Sequence, residues 1–566
     1  MMKEGLRKAA QNLYLRVLDQ FAVRKHHFSF QPQPSTMLLA TLITPLVGAL
    51  ALLLVSRDAK KALQISAFAV SLVAFAFGLA TFISFDYTNP ALQMITNQRW
   101  IPSLDAGFRV GVDGMSVLFF FLTTLTMPIA ILLGSTTIKE QEKEFYSLML
   151  LLEFGILGIF AATDTFLFYV FFELILIPMY FLIGVWGGAG RIHAALKFFI
   201  YTMFGSMIML VGLIWLGLYA QETTGHFTTN IALLREIAPT IPFDTQKWIF
   251  AAFMLAFCIK VPLFPVHTWL PEVQSESPVV GTVVVGAVLF KIGIYGLIRF
   301  GLEFFPAASF EYAKVMCTLG AIAVVYGAMA AIVQTDIRRI ASFALVSSLG
   351  TMVMGVFSMT AEGIQGAIIQ TFNHGLSVTG LFLCLGMMTD RRGSTSLEDF
   401  GGAAKVMPVF AVFFAISLFS LVGLPGLNGF IGEYLLLLGT FRSPFLNSWA
   451  FAIVGATTGM FVAIYMLRLY QKTCLGEHSS PDAASLSDIS AREIAMLLPV
   501  TILIVWIGIY PSTFMRVSEE STRALVGKLE LAKFGKTSYA ASVNKLRQAE
   551  AEQATARSEA HKAAGH

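Results

Sequence analysis

Charged residues are scarce in this 566-residue chain. Asp, Glu, Lys and Arg together make up 13% of it, against 56% hydrophobic residues, and the mean hydropathy is +0.71. Soluble domains carry roughly 25% charged residues, so the composition excludes an ordinary globular protein and indicates an integral membrane protein. The net charge is only +4, which excludes the basic surface typical of nucleic-acid-binding proteins.

Cysteine is also rare, and no metal-binding or nucleotide-binding pattern is present. The four cysteines stand singly in apolar segments, without a C-x-x-C pair or a histidine cluster nearby, so the sequence predicts neither a disulfide framework nor a metal site. The glycine-rich stretch 184–191 has no preceding strand and does not fit a phosphate-binding loop. The cysteines are Cys258, Cys317, Cys384 and Cys474.

Long apolar runs fill most of the chain. Continuous windows of about 18 or more apolar residues predict membrane-spanning helices, whereas a β-barrel would show shorter alternating segments. We therefore expect an all-α integral membrane fold with about fourteen transmembrane helices. The predicted helices lie near 37–56, 62–85, 113–134, 145–162, 164–184, 196–220, 247–270, 279–302, 311–334, 340–359, 363–388, 407–440, 447–473 and 491–515.

The two ends differ from this transmembrane domain, which we expect to span 37–515. Residues 1–36 are basic and amphipathic and lack the compact apolar core of a signal peptide. Residues 516–566 form a polar C-terminal tail, predicted as a polar helix that leads into disorder. We therefore expect one membrane domain with two polar extensions.

Basic residues in the short loops predict the orientation. Loops that follow odd-numbered predicted helices hold about twice as many Lys and Arg residues as the even-numbered loops, so they should face the cytoplasm, with both termini outside. The basic ends argue against this orientation. The residues concerned are Arg57, Lys60, Lys61, Lys139, Lys143, Arg191, Arg338, Arg339, Arg391, Arg392, Lys405, Lys472 and Arg492.

Two of the predicted helices contain breaking residues. Pro262 and Pro265 remove backbone donors inside the seventh helix, and Pro425 with its neighbouring glycines interrupts the twelfth. Irregular backbone at membrane depth needs protein or water around it, and paired breaks are typical of transport sites between repeats. An offset of five helices predicts two inverted five-helix repeats, at about 145–302 and 311–473. The alternative is two unrelated proline kinks.

Five ionisable residues lie inside the apolar runs, far from the predicted helix ends. A charge at mid-membrane costs several kcal/mol, so each is a candidate for ion or proton transfer. For Glu173, Lys260 and Lys291 the alternative is a structural ion pair or snorkelling to the interface. For His374 it is a packing role, and for Glu433 it is a place at a pore mouth. The five candidates are Glu173, Lys260, Lys291, His374 and Glu433.

Four more ionisable residues lie nearer helix ends, where structural roles are expected. They are Glu153, Lys197, His267 and Arg468.

The lysine in the broken seventh helix suggests a mechanism. Burial disfavours the charged form of an amine, and an approaching carboxylate restores it. Movement of Glu173 toward or away from Lys260 would therefore load or release a proton without a cofactor. On this interpretation the prolines admit water, and the lysine carries the proton.

At these residues the chain resembles the antiporter-like membrane subunits of respiratory complex I, a family shared with Mrp-type cation/proton antiporters and membrane-bound hydrogenases. It is most similar to the NuoM-type branch, which has glutamate where other branches usually have lysine at Glu433. The motifs, between residues 105 and 475, are GVDGMS, FYVFFELILIPMYFLI, WGGAGRIHAALKFFIYT, KVPLFPVHTWLPE, LFKIGIYGLIRF, QTDIRR, NHGLS, GLPGLNGFIGEY and YMLRLY.

The resemblance assigns a role in proton transfer to each candidate. It implies that Glu173 and Lys260 form a coupled pair, Lys291 is the central lysine, His374 links onward, and Glu433 is the terminal group.

Three positions depart from the family pattern. Arg338 replaces a lysine, and Ser348 and Gln274 each replace a histidine. Without a histidine at Ser348, water bound to Ser347, Ser348 and His374 would have to bridge the route to Glu433.

The resemblance also implies the setting. The chain would be a proton-translocating subunit of NADH:quinone oxidoreductase in the bacterial cytoplasmic (inner) membrane, beside NuoL-type and NuoN-type neighbours. It would hold no cofactor or metal itself; NADH, FMN, iron–sulfur clusters and quinone would belong to partner subunits. The alternative is a subunit of an Mrp-type Na⁺(K⁺)/H⁺ antiporter or of a membrane-bound hydrogenase.

Overall fold

A computed structural model describes residues 35–446, 449–477 and 486–534. Within these ranges, twelve helices are long and apolar enough to cross a membrane. The helices are α1 (Ser35–Leu52), α2 (Lys60–Ile83), α3 (Ser116–Thr137), α4 (Glu142–Ala161), α5 (Thr165–Trp186), α6 (Arg191–Thr224), α7 (Ile231–Ile237), α8 (Phe243–Lys260), α9 (Trp269–Glu276), α10 (Val279–Leu302), α11 (Pro306–Val333), α12 (Ile337–Phe357), α13 (Ala361–Arg392), α14 (Ala403–Val406), α15 (Pro408–Val422), α16 (Asn428–Arg442), α17 (Trp449–Cys474), α18 (Ala491–Ile509) and α19 (512–534).

The helical membrane fold is confirmed. Every predicted segment overlaps a helix, and the two segments with internal breaks each form two shorter helices. The last predicted segment, 491–515, runs past the end of α18 into α19. The seventh becomes α8 and α9, separated around Pro262 and Pro265, and the twelfth becomes α15 and α16, separated around Pro425. The inverted relation between two five-helix repeats stays a prediction.

A β-hairpin adds to the expected all-α architecture. Strand β1 (Gln93–Ile101) pairs antiparallel with β2 (Ala106–Val112) between α2 and α3. Arg109 of β2 donates to Asp164 at 3.1 Å and to Asp105 at 2.6 Å, which fixes the hairpin on the membrane domain. Windows chosen for membrane helices are too long to detect strands of this length.

The C-terminal helix α19 packs on the domain instead of extending as a polar tail. Phe514, Val517 and Leu525 are buried against it, and the Ser521 hydroxyl accepts from the backbone N–H of Gly114 at 3.2 Å. The domain boundary predicted at 515 therefore falls inside this helix. Residues 535–566, and 1–34 of the predicted N-terminal extension, lie outside the described residues.

Contacts between loops place the loops that follow odd-numbered predicted helices at one end of the bundle, which we call the basic end. Trp186 Nε1 donates to the Glu140 carbonyl at 2.8 Å, and the Gly188 N–H donates to the Glu276 carbonyl at 2.7 Å. The backbone of Asp336 bridges to that of Ser396. The loops predicted to share one side of the membrane therefore do so.

The orientation of the basic end is a testable prediction. Glu398 is exposed there, and Glu222 is exposed at the opposite end of α6. We expect Glu398→Cys to react with a membrane-impermeant thiol reagent only from the cytoplasmic side, and Glu222→Cys only from the other side. The reverse pattern would overturn the orientation. The four native cysteines are buried and should contribute little background.

Candidate functional site

The first helix break sets the position of Lys260. This lysine is the last residue of α8, and Pro262 and Pro265 follow it without N–H groups to continue the helix. The indole of Trp269, the first residue of α9, donates back to the Ile259 carbonyl at 3.1 Å, closing the irregular segment against the helix it leaves. The break therefore holds the lysine inside the bundle, where it is 4% exposed.

Glu173 and Lys260 form no direct ion pair in the described structure, although the lysine lies against the residue that precedes the glutamate. The Lys260 ammonium lies 4.7 Å from the ring centroid of Phe172 and 5.8 Å from that of Phe198. Glu173 is half-buried, and one of its carboxyl oxygens has no hydrogen-bond partner within the described ranges. A cation over aromatic faces is partly stabilised there, so a small movement of the Glu173 carboxylate can change the balance between the charged and neutral forms of Lys260.

Lys291 and His374 are in direct contact. Lys291 is 0% exposed, and its ammonium nitrogen lies 3.0 Å from Nδ1 of His374 and 3.0 Å from the Gly286 carbonyl that it donates to. A π-helical turn, Val285–Leu289, precedes the lysine in α10, and such turns occur frequently at functional sites. The contact joins α10 to α13 at a point where a proton can pass between an amine and an imidazole.

The second helix break carries a network of small polar side chains. Asn373 Nδ2 donates to the Asn428 carbonyl at 2.8 Å, and Asn428 Nδ2 returns a bond to the Asn373 carbonyl at 3.1 Å. Ser377 and Ser420 lie 2.5 Å apart, and Ser420 also bonds Asn428. The network fastens the start of α16 to α13, one residue from His374.

Glu433 lies on the far side of this network. Its carboxylate packs against Gly423, which ends α15 in the left-handed region at φ +77°. A side chain at Gly423 would both strain that turn and occupy the place of the carboxylate. Glu433 is half-buried, and the buried Tyr465 lies near it.

The structure therefore joins some of the predicted residues directly and leaves others apart. Lys291 and His374 touch. Glu173 and Lys260 are neighbours without an ion pair, and Glu433 is separated from His374 by the polar network. The five groups lie on α5, α8, α10, α13 and α16, and their action in series stays a prediction.

Buried polar atoms mark the gap between His374 and Glu433. His374 Nε2, Asn373 Oδ1, Gln370 Oε1 and the Tyr465 hydroxyl have no hydrogen-bond partner among the described residues. Buried polar groups are nearly always paired with protein or with ordered water. Ser347 donates its hydroxyl proton to the Val324 carbonyl at 2.9 Å and keeps its acceptor lone pairs.

A buried ion cluster around Arg299 was not among the predicted site residues. Arg299 is 3% exposed and pairs with Asp113 at 2.5 Å and Glu303 at 3.2 Å. Arg235 of α7 joins Glu303 at 2.7 Å. Arg299 is three residues from the end of the predicted helix 279–302, so the rule that singled out Lys291 passed over it.

A second ion cluster anchors the hairpin outside the membrane spans. Burial raises the pKa of Asp105, but the hydrogen bonds from Arg109 and Thr228 outweigh it, so this pKa lies below its ordinary value. Asp105 is therefore ionised at neutral pH and holds Arg109 in place.

Structural partners are present for three of the four residues expected to have structural roles. Lys197 pairs with Glu272 at 2.5 Å, Arg468 donates to the Ile332 carbonyl, and the His267 ring lies 4.9 Å from that of Tyr326. Glu153 is different. It is 0% exposed, and neither carboxyl oxygen has a hydrogen-bond partner in the described part of the chain.

No group of three or more His, Cys, Asp or Glu side chains able to hold a metal ion occurs within residues 35–446, 449–477 and 486–534.

Comparisons with known proteins identify the family of the chain. Residues 162–461 match the family model described as NADH:quinone oxidoreductase/Mrp antiporter, TM. NADH-quinone oxidoreductase subunit M of Rickettsia felis is 37% identical over 493 residues, which cover 86% of this chain and 98% of the relative.

Solved structures give the same result. A chain of respiratory complex I from Thermus thermophilus with bound NADH has a TM-score of 0.78 at 30% identity, covering 87% of this chain and 99% of that one. A chain of the Mrp complex from Dietzia sp. has a TM-score of 0.76 at 21% identity, covering 88% and 99%, and is similar in fold. The chain therefore belongs to the transmembrane NADH:quinone oxidoreductase/Mrp antiporter family.

Proposed function

We propose that this chain is a proton-translocating membrane subunit of an NADH:quinone oxidoreductase, of the subunit M type. The observation that carries the proposal is the contact between Lys291 and His374 within a succession of buried ionisable groups from Glu173 to Glu433. The near-complete coverage of subunit M relatives supports the assignment to that subunit.

The proton route follows from the chemistry of these groups. A carboxylate moving toward Lys260 favours its charged form, and moving away favours release. Lys291 and His374 exchange a proton across their contact, and water beside Asn373 and Gln370 carries it to Glu433. The residues of this chain supply the route and the gating, whereas the driving force comes from redox chemistry elsewhere.

The proposed setting is the bacterial cytoplasmic membrane. NuoL-type and NuoN-type subunits would be the neighbours in the membrane. NADH, FMN, iron–sulfur clusters and quinone would be held by partner subunits, and electron transfer there would drive the movement of Glu173.

A second candidate is a subunit of an Mrp-type Na⁺(K⁺)/H⁺ antiporter. The fold match to the Dietzia Mrp complex supports it, and a membrane-bound hydrogenase is a related possibility. Purification of the chain with its partners decides between them, because iron–sulfur and quinone-site subunits would support the oxidoreductase and small Mrp-like subunits the antiporter.

The terminal carboxylate provides the direct test of the proposed function. Glu433→Gln keeps the size of the side chain but removes its exchangeable proton, so we expect proton translocation per NADH to fall several-fold at a normal protein level. The measurement is acidification of vesicles that contain the reconstituted complex. Glu311→Gln, at an exposed position, is the matched control. Unchanged pumping in Glu433→Gln would remove Glu433 from the route.

A further inference from the structure

A second set of polar side chains enters the bundle away from the row just described. It lies between α2 and α4, and both helices begin at the basic end. Each helix contributes three polar residues, and the second and third lie four and eleven residues after the first, which puts the three on a single helix face. We call this set the α2/α4 seam; it consists of Lys60, Gln64 and Ser71 on α2 and Glu142, Tyr146 and Glu153 on α4.

The outer part of the seam is a hydrogen-bonded cluster. Lys60 pairs with Glu142 at 3.3 Å, and Gln64 Nε2 donates to the same carboxylate at 2.8 Å. The Lys60 side chain is 58% exposed, whereas that of Glu142 is 4% exposed. The cluster therefore connects solvent at the basic end to a buried carboxylate.

The inner part of the seam consists of polar groups without partners. Tyr146, Ser71 and Glu153 are all 0% exposed, and the tyrosine hydroxyl, the serine hydroxyl and both carboxyl oxygens have no hydrogen-bond partner within the described ranges. Tyr146 lies near Glu142, and Ser71 lies close enough to act on Glu153. Tyr146 thus has a polar neighbour closer to the basic end, and Glu153 has one at its own depth.

The seam ends at mid-membrane. Glu153 is eleven residues beyond Glu142, about 16 Å along the helix, which is roughly half of a hydrocarbon core about 30 Å thick. Ser71 lies at the same distance beyond Lys60. Neighbouring helices α1 and α3 contribute no ionisable side chain, so nothing on them neutralises a charge at Glu153.

Glu153 is separate from the Glu173 row. Gly155 and Gly158, which face nearly opposite to Glu153 on α4, pack against Ile175 and Phe171 of α5. The carboxyl of Glu153 therefore points away from the helix that carries Glu173.

We propose that the α2/α4 seam is a proton pathway from the basic end to a proton-binding site at Glu153. A metal cation fits poorly, because hard cations take about six oxygen ligands and this site offers a carboxyl group and one hydroxyl. A protonated carboxyl can donate to Ser71 and costs far less to bury than a carboxylate. Gln64 and Tyr146 extend the outer cluster inward, and Ser71 and Glu153 follow seven residues, about 10 Å, further along the two helices.

Infrared difference spectroscopy of the intact purified complex tests the site. The wild-type complex should show the carbonyl band of a protonated buried carboxyl that shifts in D₂O, and Glu153→Gln should remove it. Glu144→Gln is the matched control, since Glu144 lies on the same helix but pairs with Arg57 at the surface; it should leave the band unchanged. A band that persists in Glu153→Gln would overturn the proposal.

Two further variants test the pathway and keep the proposal testable if Glu153→Gln does not fold. Ser71→Ala should move the band without removing it, and Gln64→Leu should slow its exchange in D₂O several-fold. Exchange at the wild-type rate in Gln64→Leu would refute the route through the seam. Because these spectra do not depend on pumping, their failure is distinguishable from failure of the proposed function, which Glu433→Gln tests by pumping.

Discussion

Replacement of Glu173 by Gln is expected to reduce proton translocation by the assembled complex to about a tenth or less, since positioned proton-transfer groups commonly contribute ~100-fold or more to a rate. The variant removes the charge that favours protonation of Lys260. It leaves the lysine between the rings of Phe172 and Phe198, where burial disfavours the ammonium form. Coupled NADH–quinone turnover should slow as well, although no redox group has been altered.

The double variant provides the sharper measurement. Lys260→Ala should be as damaging as Glu173→Gln, and the two together should be no worse than either, because groups that act as one unit are non-additive. Glu173→Asp keeps the charge and shortens the reach, so its effect should be milder. Pumping and turnover are measured on the same vesicle preparations. If the double variant shows the sum of the losses of the two single variants, the two residues act independently and the pair is structural rather than a switch.

Removal of the Arg299 guanidinium is expected to have the largest effect on stability. Arg299→Met leaves Asp113 as a buried carboxylate without its cation, while Glu303 keeps Arg235, and breaking a buried ion pair typically costs about 3–5 kcal/mol. The free energy of unfolding should fall by that amount. It is measured on the purified protein in detergent by denaturant unfolding, or followed as a lower midpoint of thermal unfolding.

A surface arginine gives the matched control. Arg57 pairs with Glu144 at 2.5 Å, but its side chain is 77% exposed. Exposed ion pairs contribute roughly 0–1 kcal/mol, so Arg57→Met should change stability little. Equal losses in the two variants would mean that burial does not determine the contribution of the Arg299 cluster.

Features that depend on local sequence were predictable. Long apolar runs determine the helices, and prolines without N–H groups determine where α8 ends and α16 begins. The five candidate residues were found because a charge inside an apolar run is costly wherever the helix packs. None of this requires knowledge of which helices are neighbours.

Features that depend on packing were not predictable. Lys291 and His374 are 83 residues apart and meet only through the packing of α10 on α13. Glu153 and Lys197 looked alike as ionisable residues near helix ends, yet Lys197 has a carboxylate partner and Glu153 has none. The sequence alone does not contain that distinction.

The C-terminal helix was predicted, but its packing on the domain was not, and that packing did leave a signal. Val517, Leu525 and Leu529 of α19 recur at helical spacing and are buried, a pattern typical of an amphipathic helix. The many charged residues around them favoured the prediction of a polar tail. The hairpin gave a weaker signal, because only β2 is largely buried and it is seven residues long.

Helix α19 has a mechanical consequence for the domain. Its early part bonds Gly114 at the start of α3, and its end reaches the second half of the bundle, where Lys533 lies over the Phe310 ring and Phe534 stacks on Phe445. Residues 512–534 span about 33 Å, and the helix links separate parts of the bundle across the face opposite the basic end. These contacts join the start of α3 to the start of α11 and to the segment after α16 on that face, and they therefore resist separation of these parts.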